Sequence, residues 1–266
     1  MEGKNPQRLL IVLNIVALVA TIVVNALANA LPLNGMTTGA LSDAIPNLFV
    51  PAGLTFAIWG PIYLLLVVFA IYQAVNGWKH DVQDTAVRKL GPWFIVSCVA
   101  NALWIIAWHW QLIALSLIVM LFLLGALMLM YGKTRGNECS LGFRAAVSLP
   151  VSIYLGWITV ATIANITSLL VTMQWDRFGL SEVFWTVAVL GAAIAINLLA
   201  IIISGDIWFA AVGIWALYGI YLKRSTVGPE SASPIVLTAL VGMIVIGVAV
   251  AVHLIVKGRK VAKDGC

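Results

Sequence analysis

Three groups of polar-tipped aromatic and amide side chains lie inside apolar stretches of this sequence: Trp59 with Tyr63; Asn101 with Trp104 and Trp108; and Tyr154 and Trp157 with Asn165. An indole N–H, a phenol or a carboxamide costs free energy in hydrocarbon until it finds a hydrogen-bond partner. Their recurrence in successive apolar segments therefore points to a shared interior surface rather than a lipid face. Within the groups successive members are three or four residues apart, with Asn165 eight from Trp157 by way of Ala161, which puts them on one face of a helix. The small residues Gly60, Gly156 and Ala161 beside them let a backbone or a flat ligand approach closely. The chemistry this pattern suits is recognition: aromatic faces with a few polar anchors can enclose a mostly apolar ligand. The same spacing equally suits helix–helix packing with amide hydrogen bonds and no ligand.

Bond-making chemistry has little to work with. The sequence contains no His-Glu-x-x-His, no Gly-x-Ser-x-Gly and no glycine-rich phosphate loop. His80 falls in a charged loop, His109 at the end of an apolar stretch and His253 near the end of the last one. The carboxylates Asp43, Asp81, Asp84, Glu138, Asp176, Asp206 and Glu230 fall in loops, and Glu182 at the mouth of an apolar stretch, so no carboxylate stands at mid-membrane for proton coupling. Cys98, Cys139 and Cys266 form no Cys-x-x-Cys pair, and a disulfide framework is not expected. No catalytic residue, no metal site and no cofactor is expected.

The elements that must position these residues follow from composition. At 62% hydrophobic and 9% charged, the chain is far from the roughly 45–50% apolar and 25% charged of soluble domains. A helix needs about 20 mostly apolar residues to cross the hydrocarbon. Eight stretches qualify on the sequence: 9–30, 52–76, 91–109, 112–131, 146–169, 183–204, 206–222 and 235–256. The first ends in Ala28-Asn29-Ala30, which could pass for a signal-peptide cleavage site, but its apolar run is long for one and a retained helix is expected. Twelve of the fifteen basic residues, among them Lys4, Arg8, Lys133 and Lys257, fall on one side of this arrangement, leaving Arg177, Lys223 and Arg224 on the other. By the positive-inside rule both termini are cytoplasmic. The net charge of +5 is dispersed over loop ends and reads as membrane anchoring, not nucleic-acid binding. Trp78, Trp93, Trp110, Trp175 and Trp208 sit near span ends, as an aromatic belt would, whereas Trp59, Trp104 and Trp157, with Trp108 and Trp215, are deeper. The neutral, turn-rich loop from Pro32 to Val50 is a lid candidate whose Leu41, Ile45, Leu48 and Phe49 are expected to dock. Trp110-Gln111 joins two spans as a tight hairpin.

Taken in order, these motifs resemble a known family. Ala57-Ile-Trp59-Gly-x-x-Tyr63 resembles the Trp-x-x-x-Tyr signature of the TspO/MBR family of tryptophan-rich sensory or translocator proteins; Asn101-x-x-Trp104 is similar to its Asn-x-x-Trp in helix three; and Tyr154-x-x-Trp157-x-Thr159 with Asn165 looks like its helix five. The motifs span residues 9–172. The resemblance implies a five-helix bundle around a cavity for porphyrins, sterols or related flat molecules, lined or supported by Trp59, Tyr63, Asn101, Trp104, Tyr154 and Trp157. Gly53 stands where the family pattern carries Trp, so tetrapyrrole photochemistry that depends on that Trp is not carried over. The family's sterol-type motif after Tyr154 is missing, since no Lys or Arg follows closely. Helices over 183–256 have no counterpart in the usual five-helix family. The expected fold is therefore an all-α integral membrane protein with a TspO-like bundle over residues 1–172 and a three-helix extension over 173–266. The expected function is binding or sensing of a porphyrin-like or sterol-like ligand; the alternative is a transporter or exporter of small hydrophobic solutes. Expected partners are the lipid bilayer and a hydrophobic small molecule, with a homodimer left open and no nucleic acid; Gly191-x-x-x-Ala195 offers a small-residue face by which the last three helices could complete a dimer-like interface within one chain.

Overall fold

Backbone amides in hydrocarbon must bond within their own segment, so long apolar stretches rich in Leu, Ile and Val become helices. Residues 6–31, 33–79, 86–135, 140–227 and 232–264 are described in a computed structural model, and all their regular elements are helical. Lys4, Pro32, His80, Asp81, Asp84, Glu138, Cys139, Glu230 and Cys266 lie outside the described residues. The helices are α1 (Pro6–Ala30), α2 (Thr38–Ala44), α3 (Trp59–Lys79), α4 (Ala86–Leu90), α5 (Trp93–His109), α6 (Ile113–Thr134), α7 (Leu141–Phe143), α8 (Leu149–Thr172), α9 (Glu182–Ser204), α10 (Ile207–Thr226) and α11 (Ser233–Asp264).

Six helical stretches are long and apolar enough to cross a membrane: Gln7–Ala30, Gly53–Gly77, Ile113–Thr134, Leu141–Thr172, Glu182–Ser204 and Ser233–Gly258. Eight were expected. The other two stretches are helices too, but α5 is a shorter apolar helix, stopped by the turn at Trp110. Charge ends α10, whose last turn carries Lys223 and Arg224.

The chain divides into two compact units, one of residues 1–45 with 57–172 and the other of 46–56 with 173–266. In the first, α5 packs on α6 and α1, α6 on α8, and α1 on α3. The expected tight hairpin between α5 and α6 is present: Gln111 takes a left-handed φ of 56°, and Leu112 N–H donates to Ala107 O at 3.0 Å. Ahead of α8, Leu149 N–H donates five residues back to Arg144 O. This wide turn directly precedes Pro150, which has no N–H to continue the ordinary ladder. In the lid candidate the sequence suggested only turns, yet Thr37 caps α2 by accepting from Ala40 N–H at 3.2 Å. Leu41 and Phe49 are buried, Ile45 and Leu48 half-buried.

In the second unit Ser181 caps α9, and α9 ends at Gly205, which is left-handed at φ 60°, with Asp206 N–H reaching back to Ala200 O at 3.2 Å. Asp206 then accepts from Trp208 and Phe209 N–H, both at 3.1 Å, to start α10, so α9 and α10 are separate helices. The segment before α3, which ends in a 3-10 helix over Gly53–Ile58, straps onto this unit. Ala52 N–H donates to Gly219 O at 3.0 Å, Trp215 Nε1 to Thr55 O at 2.9 Å, and Leu48 N–H to Glu182 Oε1 at 3.0 Å. The deep indole of Trp215 thus finds its acceptor in a backbone carbonyl. Thr55 lies so close to Gly219 that a Cβ on that residue would overlap its hydroxyl.

Gly219→Ala should therefore push Thr55 and its strap off α10. The expected cost is about 1–3 kcal/mol, read as a lowered midpoint in a detergent thermal melt together with new protease cleavage within residues 46–56. An unchanged midpoint and cleavage pattern would show that the close fit does not hold the strap.

Candidate functional site

Helices α3, α5 and α8 each deliver one aromatic face to the interior of the first unit. Trp59 is the centre. Its ring stacks on Tyr63 one turn along α3 at 5.4 Å and 17°. It also meets Trp104 of α5 at 6.3 Å, and takes Tyr154 and Trp157 of α8 edge-on at 6.1 and 6.3 Å. Such separations lie in the favourable range for ring pairs. Trp108 extends the cluster by stacking on Trp104 at 6.1 Å. Trp104, Trp108, Tyr154 and Trp157 are buried, while Trp59 and Tyr63 are half-buried.

Asn101 is fully buried and makes two short bonds: its Oδ1 accepts from Asn25 Nδ2, and its Nδ2 donates to the Tyr154 hydroxyl, each at 2.7 Å. Asn165 goes elsewhere. It is eleven residues from Tyr154 along α8, about 16 Å at the helical rise, and its Oδ1 accepts from Ser116 of α6 at 3.2 Å. Seven of the eight residues singled out on the sequence are thus linked through ring contacts and one hydrogen bond, and Asn165 belongs to a different helix contact.

Sequence reasoning missed α1. Asn14, Thr21, Asn25 and Asn29 follow at seven, four and four residues, a polar stripe on one face of an apolar helix. Asn14 donates to Gln73 Oε1 of α3 at 2.8 Å, and Thr21 Oγ1 to the Cys98 carbonyl of α5 at 3.0 Å. Asn29 Oδ1 accepts from Thr38 N–H at 3.3 Å. The helical period of these residues was the available signal.

His109 closes the end of α5. A carbonyl can only accept, so Nδ1–H donates to Leu33 O at 2.9 Å, which leaves Nε2 to accept from the Thr38 hydroxyl at 3.1 Å. Asn34 Nδ2 donates to the His109 carbonyl at 3.0 Å, and Trp108 Nε1 to Thr38 O at 3.4 Å. The first part of the lid candidate is therefore clasped to the α5 terminus by a fully buried histidine. Two donors in the aromatic cluster contrast with this. The Tyr63 hydroxyl and Trp104 Nε1 are buried with no hydrogen-bond partner among the described residues.

His109→Leu leaves the Leu33 carbonyl without its donor and the Thr38 hydroxyl without its acceptor. Loss of the clasp should cost about 2 kcal/mol and raise hydrogen exchange over residues 33–44 while leaving α6 and α8 protected. Unchanged exchange in that segment would assign its order to apolar docking alone.

The comparisons with known proteins bear on this arrangement directly. No curated protein and no solved structure matches the chain. A family model described as TSPO-like protein matches residues 11–252, which takes in the three aromatic helices and continues past residue 172 through α9, α10 and most of α11. The family pattern is thus not confined to residues 9–172, where the motifs had located it. With the model covering most of its length and its aromatic helices packed as described, the chain belongs to the TSPO-like family.

Proposed function

We propose that this protein is an integral-membrane binding or sensory protein that holds a flat hydrophobic ligand, porphyrin-like or sterol-like, against the rings gathered around Trp59. The observation that carries the reading is the pair of buried donors, Tyr63 Oη and Trp104 Nε1, lacking partners among the described residues in the middle of that cluster. Leaving a buried donor unpaired costs about 1–3 kcal/mol. A ligand oxygen or ring nitrogen would remove that cost at a place where aromatic faces are available for stacking. Packing alone would give no reason to retain the two polar tips. Gly53, within the strap, has open space around a Cβ position, and the Trp of the family pattern is absent from it. The role is accordingly one of binding, without turnover of the ligand.

Protoporphyrin is expected to quench tryptophan fluorescence saturably in the low micromolar range, about the strength that a few stacking and hydrogen-bond contacts provide. Trp104→Phe keeps a ring and loses the donor, and should weaken binding about five- to tenfold. Asn101→Ala should weaken it as well. No protoporphyrin counterflow is expected in proteoliposomes. Absence of saturable quenching would refute the binding reading.

We also propose that α5 and α10 cross the membrane with the six longer stretches, giving eight crossings and cytoplasmic termini. The distribution of basic residues supports this, as do the short turns at Gln111 and Gly205, which return the chain at once. On a cysteine-free background, Arg177→Cys should react with a membrane-impermeant maleimide from outside the cell and Arg135→Cys only after permeabilisation. Labelling of both from one side overturns the topology.

A further inference from the structure

The polar stripe on α1 fixes more than packing, because its hydrogen bonds have a direction. The Thr21 carbonyl can only accept. The Asn25 atom 2.9 Å from it must therefore be the amide nitrogen. That same nitrogen stands 2.7 Å from the side chain of Asn101, so the atom it meets there must be the oxygen. The other end of Asn101 is then its nitrogen, 2.7 Å from the Tyr154 hydroxyl, and the phenol oxygen must accept. Both hydrogens of the Asn25 amide are used, on Thr21 and on Asn101. The Tyr154 proton is turned away from Asn101 and has no acceptor among the described residues.

Tyr154 meets Trp59 edge-on, and the other two groups with uncommitted donors touch the same indole: Tyr63 stacks on it and Trp104 packs tilted beside it. An indole N–H can only donate. A phenol whose oxygen already accepts is left to donate, while the Tyr63 hydroxyl can do either. The polar groups around Trp59 are therefore biased to one sign, with two committed donors and no committed acceptor.

Resting on the binding reading above, we propose that Asn25 of α1, acting through Asn101, commits Tyr154 as a donor, so that the site selects flat ligands with hydrogen-bond acceptors over isosteres that carry only a donor. The acceptor classes are a carbonyl, carboxylate or ether oxygen, or an unprotonated ring nitrogen. Asn25 is a positioning residue. It sits on a helix that contributes none of the rings, and it sets the polarity of the site without joining the stack.

Three tricyclic probes of nearly one shape test this: fluorenone offers only an acceptor, carbazole only a donor, and fluorene neither. Binding to the full-length protein in nanodiscs is read by tryptophan quenching, and the fluorenone carbonyl stretch by infrared spectroscopy. Wild type should bind fluorenone about tenfold more tightly than fluorene, the worth of one net hydrogen bond. Carbazole should bind no better than fluorene, and the bound fluorenone carbonyl stretch should move to lower frequency. In Asn25→Ala the Asn101 amide is free to turn and take the Tyr154 proton. The preference for fluorenone should then fall to about twofold and the carbonyl shift should shrink, with fluorene binding unchanged. Tyr154→Phe, which removes only a hydroxyl, should lower the preference for fluorenone over fluorene in the same way and serves where Asn25→Ala does not fold. Equal binding of all three probes by wild type overturns the proposed polarity and leaves the binding reading standing. A preference retained in Tyr154→Phe overturns the donor assignment, and one retained in Asn25→Ala overturns the positioning role. Failure of every probe to bind takes down the binding reading and this inference with it.

Discussion

Hydrocarbon offers nothing to a hydrogen bond, and the amides of α1 make that constraint govern the first unit. Asn14, Asn25 and Asn29 cannot face lipid without stranding donors and acceptors, so α1 can present only one side to its neighbours. Asn14 is tied to α3, Thr21 and Asn25 to α5, and through Asn101 the linkage continues to Tyr154 on α8. Helices in a bilayer gain little from burying apolar surface against each other, since lipid tails are just as apolar, and small contributions of about 0.6–2 kcal/mol per interhelical hydrogen bond decide rotation and register. The burial pattern agrees. Asn14, Asn25, Asn101 and Gln73 are buried, whereas Leu64, Ile71, Phe122 and Ile202 are exposed on outer faces.

The aromatic faces depend on that register. Trp59, Trp104 and Tyr154 come from three helices, and their rings meet only if each helix is rotated to within about one residue of its present setting, since a one-residue shift turns a helix face by about 100°. The hydrogen bond from Asn101 to Tyr154 fixes α5 against α8 at the level of the rings themselves. The connector between α1 and α3 adds a further restraint at the end of α5, where Thr38 uses its amide, carbonyl and hydroxyl at once, on Asn29, Trp108 and His109. Beyond residue 45 the same connector groups with the C-terminal helices and is held by Gly219, Trp215 and Glu182. A loop that the sequence presents as one neutral segment is thus divided between two sets of contacts.

What could be read from the sequence was whatever repeats with a helical period or interrupts it. The faces of Trp59 with Tyr63, Asn101 with Trp104, and Tyr154 with Trp157 were legible because three- and four-residue spacing is local information. The α5–α6 hairpin was legible because only three residues separate the helices. Asn165 shares its face with Tyr154, but a face three turns long crosses more than one neighbour, and at that level α8 meets α6. Spacing gives a direction from the helix axis and not the partner found there. The short helix α2 was hidden by Gly, Ser and Asp, residues that favour turns by local bonding and form a helix here because Thr37 caps it and Leu41 is buried. Gly219 carried no signal at all, since its role is to make room for Thr55 from 164 positions away in sequence.

A cluster of this kind separates two properties that are usually joined. Ring stacking is tolerant: each aromatic pair contributes about 0.5–1.5 kcal/mol beyond its buried area, and any flat molecule of suitable size collects it. Hydrogen-bond polarity is intolerant, because a ligand that presents the wrong sign leaves a buried group stranded at about 1–3 kcal/mol each. On the binding reading proposed above, affinity for flat molecules as a class resides in α3, α5 and α8, and discrimination among them in which proton each polar tip must give. Tyr154 could point its proton either way if Asn101 were free to turn; it is held to one by an amide on α1 whose own orientation is set by a backbone carbonyl one turn away. Backbone carbonyls cannot be mutated to donors, so the sign of this relay is fixed at its origin by the helix itself, and it can be changed only by replacing the side chains that transmit it.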